Sequence, residues 1–160
     1  MESMFSGCTN IENINFGNIN TNSLENLYET FKGCSTLQII DLSKFETSKV
    51  TTMEGMFQNC SSFRFLDLSN FLTPKVETAK NMFASSYSLR YLNLLKFQFK
   101  STVEWENIFG YLRDDVIYCL LDEPTKIMTL IPDEYWFCHV DCSNINRIKV
   151  DFFNKKCLED

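Results

Sequence analysis

Apolar residues recur along this chain with a fixed step of 26. Phenylalanine falls at Phe5, Phe31, Phe57, Phe83 and Phe109. Cys8, Cys34 and Cys60 share a second column, which Ser86 continues. Ile11, Leu37, Phe63 and Leu89 form another, as do Ile14, Ile40, Leu66 and Leu92. Phe16, Leu42, Leu68 and Leu94 follow, then Ile19, Phe45, Phe71 and Phe97, then Thr21, Thr47 and Thr73. So many columns in step without an insertion define a tandem repeat.

Within one unit the period changes. Val50, Met53, Met56 and Phe57 are spaced i, i+3, i+6 and i+7. That spacing places them on one face of a short helix, with Thr47 or Ser48 as the N-cap. Asn59, Cys60 and Ser61 then turn the chain. Next, Leu66 and Leu68 alternate with Phe65, Asp67 and Ser69, the pattern of a half-buried strand. Each unit therefore predicts helix, turn, strand and loop. A single unit cannot bury its own apolar face, so the units must stack and their strands pair in parallel. The predicted fold is an α/β, leucine-rich-repeat-like solenoid of about 4–5 coils. It occupies residues 1–121, with coils starting near residues 4, 30, 56, 82 and 108. Beyond residue 121 no column survives, and residues 122–160 are expected to form a C-terminal cap over the last coil. The pattern fades in the fourth coil, where Ser86 replaces a cysteine and Phe99-Lys100-Ser101 replaces the usual loop.

The run Met56-Phe57-Gln-Asn-Cys60-Ser-Ser-Phe63-Arg-Phe-Leu66-Asp67-Leu68-Ser69-Asn70-Phe71, preceded by Thr47-Ser48-Lys49-Val50, resembles the repeat of BspA-like surface proteins, also known as DUF285. The likeness extends from residue 4 to about 120. Such repeats resemble leucine-rich repeats and occur in surface proteins of bacteria, mycoplasmas and single-celled eukaryotes. The cysteine-bearing tail is similar to the tails of protist members. The resemblance implies surface display and adhesion, an extracellular or cell-surface location, and no catalytic residues to carry over.

Composition narrows the partners. The 160 residues carry a net charge of −6, so the chain offers no basic face for nucleic acid or for an anionic membrane. No apolar run reaches the roughly 18 residues of a membrane span. The first residues also lack the basic and apolar regions of a secretory signal. Because the chain opens inside a repeat, either an upstream segment or end-to-end association through the first coil is expected. Abundant Asn, Lys, Ile and Phe fit an AT-rich genome, as in protists or mycoplasmas.

The seven cysteines fall into two groups. Cys8, Cys34 and Cys60 are read as a ladder of buried free thiols against the phenylalanine column. Cys119, Cys138, Cys142 and Cys157 lie outside that column and are read as two disulfides of unassigned connectivity. Zinc held through Cys138, His139 and Cys142, or unpaired thiols, are the other readings of the same residues. No metal or cofactor is expected on balance.

His139 is the sole histidine and is read as structural. The adjacent pairs Asp114-Asp115, Asp122-Glu123 and Asp133-Glu134 point apart in extended backbone and fit solvated turns. No phosphate loop or nucleophile elbow is present, so an enzyme is not expected. Asn59-Cys60-Ser61 matches a glycosylation acceptor formally, but on a tight turn beside a buried thiol.

The candidate binding surface is the outward face of the sheet. One outer column reads Ile39, Phe65, Tyr91 and Ile117, and its neighbour reads Asn15, Asp41, Asp67 and Asn93. Aligned apolar and polar side chains of this kind mark contact surfaces, and a protein or glycan partner is expected there. The Asp and Asn column has a second reading, in which it satisfies loop backbone groups. A structural spacer and an intracellular scaffold with reduced thiols are the rival functions.

Overall fold

A computed structural model of the chain describes residues 1–98, 100–113, 116–119, 148–151 and 156–159. Short strands recur once per repeat: β1 (Asn13–Ile14), β2 (Ile39–Ile40), β3 (Phe65–Asp67), β4 (Tyr91–Asn93) and β5 (Ile117–Cys119). β1 pairs with β2 in parallel, Ile14 facing Ile40. β3, β4 and β5 form a second parallel sheet, in which Leu66 faces Leu92 and Leu92 faces Tyr118. Every one of these partners lies one repeat apart, so the sequence period has become a spatial one. Burial alternates along β3 and the residue after it: Leu66 and Leu68 are inside while Phe65 and Asp67 are outside. In the C-terminal region, β6 (Ile148–Asp151) and β7 (Lys156–Glu159) pair antiparallel. The rest of the expected cap lies outside the described residues.

The segment expected to be helical is not a helix. From Met53 to Cys60 the chain runs as a train of turns. The N–H groups of Met56, Gln58 and Cys60 donate back to the carbonyls of Met53, Gly55 and Phe57 at 3.2, 3.0 and 3.3 Å. The N–H groups of Met53, Gly55, Phe57 and Asn59 instead cross to the next repeat. They reach the carbonyls of Thr78, Lys80, Met82 and Ala84 at 2.9, 2.8, 2.8 and 2.9 Å. The same alternation joins the other neighbouring repeats, as with Phe31 to Met56 and Phe83 to Ile108, both at 3.0 Å. Backbone handedness explains the outcome. Gly55 and Asn59 both stand at φ 60°, in the left-handed region that ends a right-handed helix. Their equivalents Glu29, Gly33, Asn81 and Ser85 do the same. A helix would have kept its N–H groups to itself; here half of them bind the neighbouring repeat. The apolar spacing was the signature of a buried face, and a tight succession of turns buries that face as well as a helix does.

The expected N-cap is corrected too. Thr47 is buried, and its hydroxyl bonds the next repeat: Oγ1 donates to the Leu72 carbonyl and accepts from the Leu72 N–H, each at 2.8 Å. Thr21 and Thr73 accept likewise from the N–H groups of Glu46 and Gln98 at 2.8 Å.

The core lies between the strands and the turns. Its axis is the phenylalanine column, whose rings stack face to face. Phe5 to Phe31, Phe31 to Phe57, Phe57 to Phe83 and Phe83 to Phe109 are separated by 5.5, 5.4, 6.1 and 5.9 Å. Interplanar angles of 9°, 12°, 4° and 6° keep the rings nearly parallel. A second stack joins Phe71 and Phe97 at 6.5 Å.

Candidate functional site

Beside the rings runs the small-residue column. Cys34 Sγ donates to the Phe5 carbonyl and Cys60 Sγ to the Phe31 carbonyl, each at 3.0 Å. Ser86 Oγ makes the equivalent bond to the Phe57 carbonyl at 2.8 Å. Ser86 therefore keeps the column's hydrogen bond. Cys34 and Cys60 are fully buried and free, and Cys8 is free and half-buried. Burial pushes the Cys34 thiol up to about 11 and raises that of Cys60 further.

These shifts set a pH dependence. A thiol or phenol whose folded pKa lies above its unfolded value stays neutral longer in the native state. The resulting stability is intact at neutral pH and is lost as the unfolded chain deprotonates. Burial, and then the Asp67 charge, push Tyr91 up to about 12, adding a third such group. The urea midpoint is therefore expected to hold from pH 7 to about 8.5 and to fall steadily toward pH 11. A midpoint that rose over that range would contradict the burial of these groups. Iodoacetamide under native conditions should modify Cys8 before Cys34 and Cys60.

On the outer face the structure separates the expected residues into two sets. Ile39 and Phe65 stand out, 62 % and 69 % exposed. Asp41 and Asp67 are exposed beside them. Tyr91 and Asn93, expected in the same strip, are only 4 % and 5 % exposed. This is a correction: the open strip covers the second and third repeats and closes at the fourth. Tyr91 lies between paired β3 and β5, with the Phe65 ring tilted against it at 6.3 Å. Its buried hydroxyl has no hydrogen-bond partner among the described residues. Strand alternation states which face a residue occupies and not what else occupies that face.

The polar column acts on its own backbone. Asn15, Asp41, Asp67 and Asn93 accept through Oδ1 from the N–H groups of Gly17, Ser43, Ser69 and Leu95, at 2.8, 2.9, 2.9 and 3.2 Å. Each closes the loop that follows its strand. The Ser43 hydroxyl and N–H beside Asp41 hold its carboxyl below the usual carboxylate range.

A groove of about 680 Å³ opens between β2 and β3, lined by Gln38, Ile39, Ile40, Ser62, Arg64, Phe65, Asp67 and Ser88. Ile39, Phe65 and Asp67 came from the strand pattern; Gln38, Ser62, Arg64 and Ser88 did not. The groove exists because the sheet is interrupted there, an event that repeats of equal length do not announce. Cys138, Cys142, His139, Asp122, Glu123, Asp133, Glu134 and the Asp114-Asp115 pair lie outside the described residues. Of Ile117, Cys119 and Cys157 the strand positions alone are described. Asn59 is exposed at its turn. Among the described residues no three His, Cys, Asp or Glu side chains gather where they could hold a metal ion, and no helix is long and apolar enough to cross a membrane.

Stacked units, ring ladders and an open outer face define a tandem-repeat protein. Within that class, residues 1–114 match the family described as "Mycoplasma protein of unknown function, DUF285", and the chain belongs to it. No curated protein and no solved structure matches the chain.

Proposed function

We propose that the chain is a non-catalytic recognition module of a cell-surface or extracellular protein, built as a leucine-rich-repeat-like solenoid. Its partner is a protein or a glycan, bound on the outer sheet face. The observation that carries the reading is the exposure of Ile39 and Phe65, two large apolar side chains that line one groove. Exposed apolar area flanked by polar groups is the composition of an interface core with its rim. The acidic overall charge, −6, supports a protein or glycan over nucleic acid.

The test is a double substitution, Ile39→Ser with Phe65→Ser. Both side chains are exposed, so the melting temperature should stay within a few degrees of the parent. Adhesion of protein-coated beads to extracellular-matrix proteins and to a glycan array should fall at least tenfold. Binding that survives the double variant unchanged would remove the outer face from the mechanism and leave the spacer reading in its place.

A further inference from the structure

The sheet is continuous from β3 to β5 but broken between β2 and β3. At the other junctions the strand backbones are joined. Gln38 and Ile39 N–H groups reach the Glu12 carbonyl at 2.9 and 3.2 Å, and those of Arg90 and Tyr91 reach the Arg64 carbonyl at 2.9 and 3.1 Å. The corresponding bonds from Arg64 and Phe65 to the Gln38 carbonyl are absent, and no backbone bond ties Gln38–Asp41 to Arg64–Asp67. The junction is nonetheless held on every other side. The turn wall crosses it through Phe31 to Met56 at 3.0 Å and Gly33 to Gln58 at 2.8 Å. Ser62 Oγ bonds the Ser35 carbonyl at 2.6 Å on one flank of the break. On the other, Asn70 Nδ2 bonds the carbonyls of Leu42 and Phe45 at 3.0 and 3.1 Å. The opening is thus a local gap in a braced wall, not a general loosening of the stack.

Two facing strand edges with unspent backbone donors and acceptors are a template for another extended chain. The groove's volume of about 680 Å³ sits within the roughly 300–1,000 Å³ of ordinary ligand sites. Its rim carries Ile39 and Phe65 for apolar side chains. Arg64 adds an exposed guanidinium that no carboxylate among the described residues pairs with. Asp67, the groove's one acid, is already held by the Ser69 N–H at 2.9 Å.

We propose that the β2–β3 gap binds a short extended peptide. The peptide's backbone bonds to the free strand edges at Ile40 and Phe65, an apolar residue lies against the side chains of Ile39 and Phe65, and a carboxylate pairs with Arg64. The proposal rests on the outer-face reading above and narrows the partner to a protein segment. Bare strand edges favour a peptide over a sugar, because a sugar cannot continue a ladder.

The experiment is selection of a phage-displayed random octapeptide library on the intact chain, followed by fluorescence polarisation with the selected synthetic peptides. The expected peptides carry Asp, Glu or a free C-terminus next to alternating apolar residues. N-methylation of alternate backbone amides should weaken binding at least tenfold. Arg64→Gln should weaken the acidic peptide about tenfold, yet leave its amidated or Gln counterpart unchanged. Deuterium exchange at Ile40 and Phe65 should slow when peptide is bound. Recovery of no binding peptide would overturn the proposal. So would peptides indifferent to both N-methylation and Arg64→Gln. Oligosaccharide binding that depends on Phe65 but tolerates Arg64→Gln and leaves the strand amides exchanging freely would also overturn it, while leaving the outer-face reading intact.

Discussion

Replacing Phe57 with alanine is expected to lower the unfolding free energy by about 3–5 kcal/mol, enough to unfold many domains of this size at physiological temperature. The ring is buried and touched from three directions. It stacks on Phe31 at 5.4 Å and on Phe83 at 6.1 Å, and it meets the edge of Phe63 at 5.8 Å. Removing it interrupts the ladder at its centre, so the adjoining rings lose a stacking partner as well as an apolar neighbour. Collapse cannot close the cavity cheaply. The spacing between repeats is fixed along the turn wall by backbone bonds, such as Phe31 N–H to the Met56 carbonyl at 3.0 Å and Phe57 N–H to the Met82 carbonyl at 2.8 Å. Urea unfolding checks the prediction, with Phe65→Ala as the control. That side chain belongs to the same residue type and repeat but is 69 % exposed, and its loss should cost no more than about 0.5 kcal/mol. Equal losses at the two positions would refute the ring ladder as the axis of the core.

Thr47→Val is expected to cost about 1–3 kcal/mol although it keeps the side chain's shape and adds apolar surface. The reason is that one hydroxyl serves both polar groups of Leu72, donating to its carbonyl and accepting from its N–H at 2.8 Å each. Thr47 itself is buried, so removing the oxygen leaves both Leu72 groups facing an apolar side chain. Thr47→Ser restores the oxygen and should recover most of the loss. A valine variant as stable as the parent, measured by urea midpoint, would mean that the Leu72 groups find other partners. Because Thr47 belongs to the second repeat and Leu72 to the third, the loss should loosen the junction whose strands are already apart.

How much of this could be read from the sequence differs by level. The positions of the buried columns were legible, since a repeat that must stack has only one way to hide residues recurring at one step. The phenylalanine ladder, the buried Leu66 and Leu68 and the free state of Cys34 and Cys60 follow from that constraint. The turn wall was misread. Apolar spacing records which side chains share a face, and both a helix and a train of turns satisfy it. Gly55 and Asn59 carried the missing signal, since both residue types tolerate left-handed backbone, and Gly33 and Asn81 repeat it in neighbouring units. The candidate site was half legible. Ile39 and Phe65 were found by alternation; Tyr91 and Asn93 shared the same alternation but are buried.

The sequence alone determined the period, the identity of the core columns and the alternation of inner and outer residues. These are local or strictly repetitive properties, set by side-chain volume and polarity at each place in the unit. Tertiary structure alone decided the rest: that turn N–H groups bond the next repeat, that Thr47 serves Leu72, and that the sheet parts between β2 and β3. Each of those depends on how one unit meets the next. Hydrogen bonds between units compete among several near-equivalent partners, and their outcome is fixed only when the whole stack has closed.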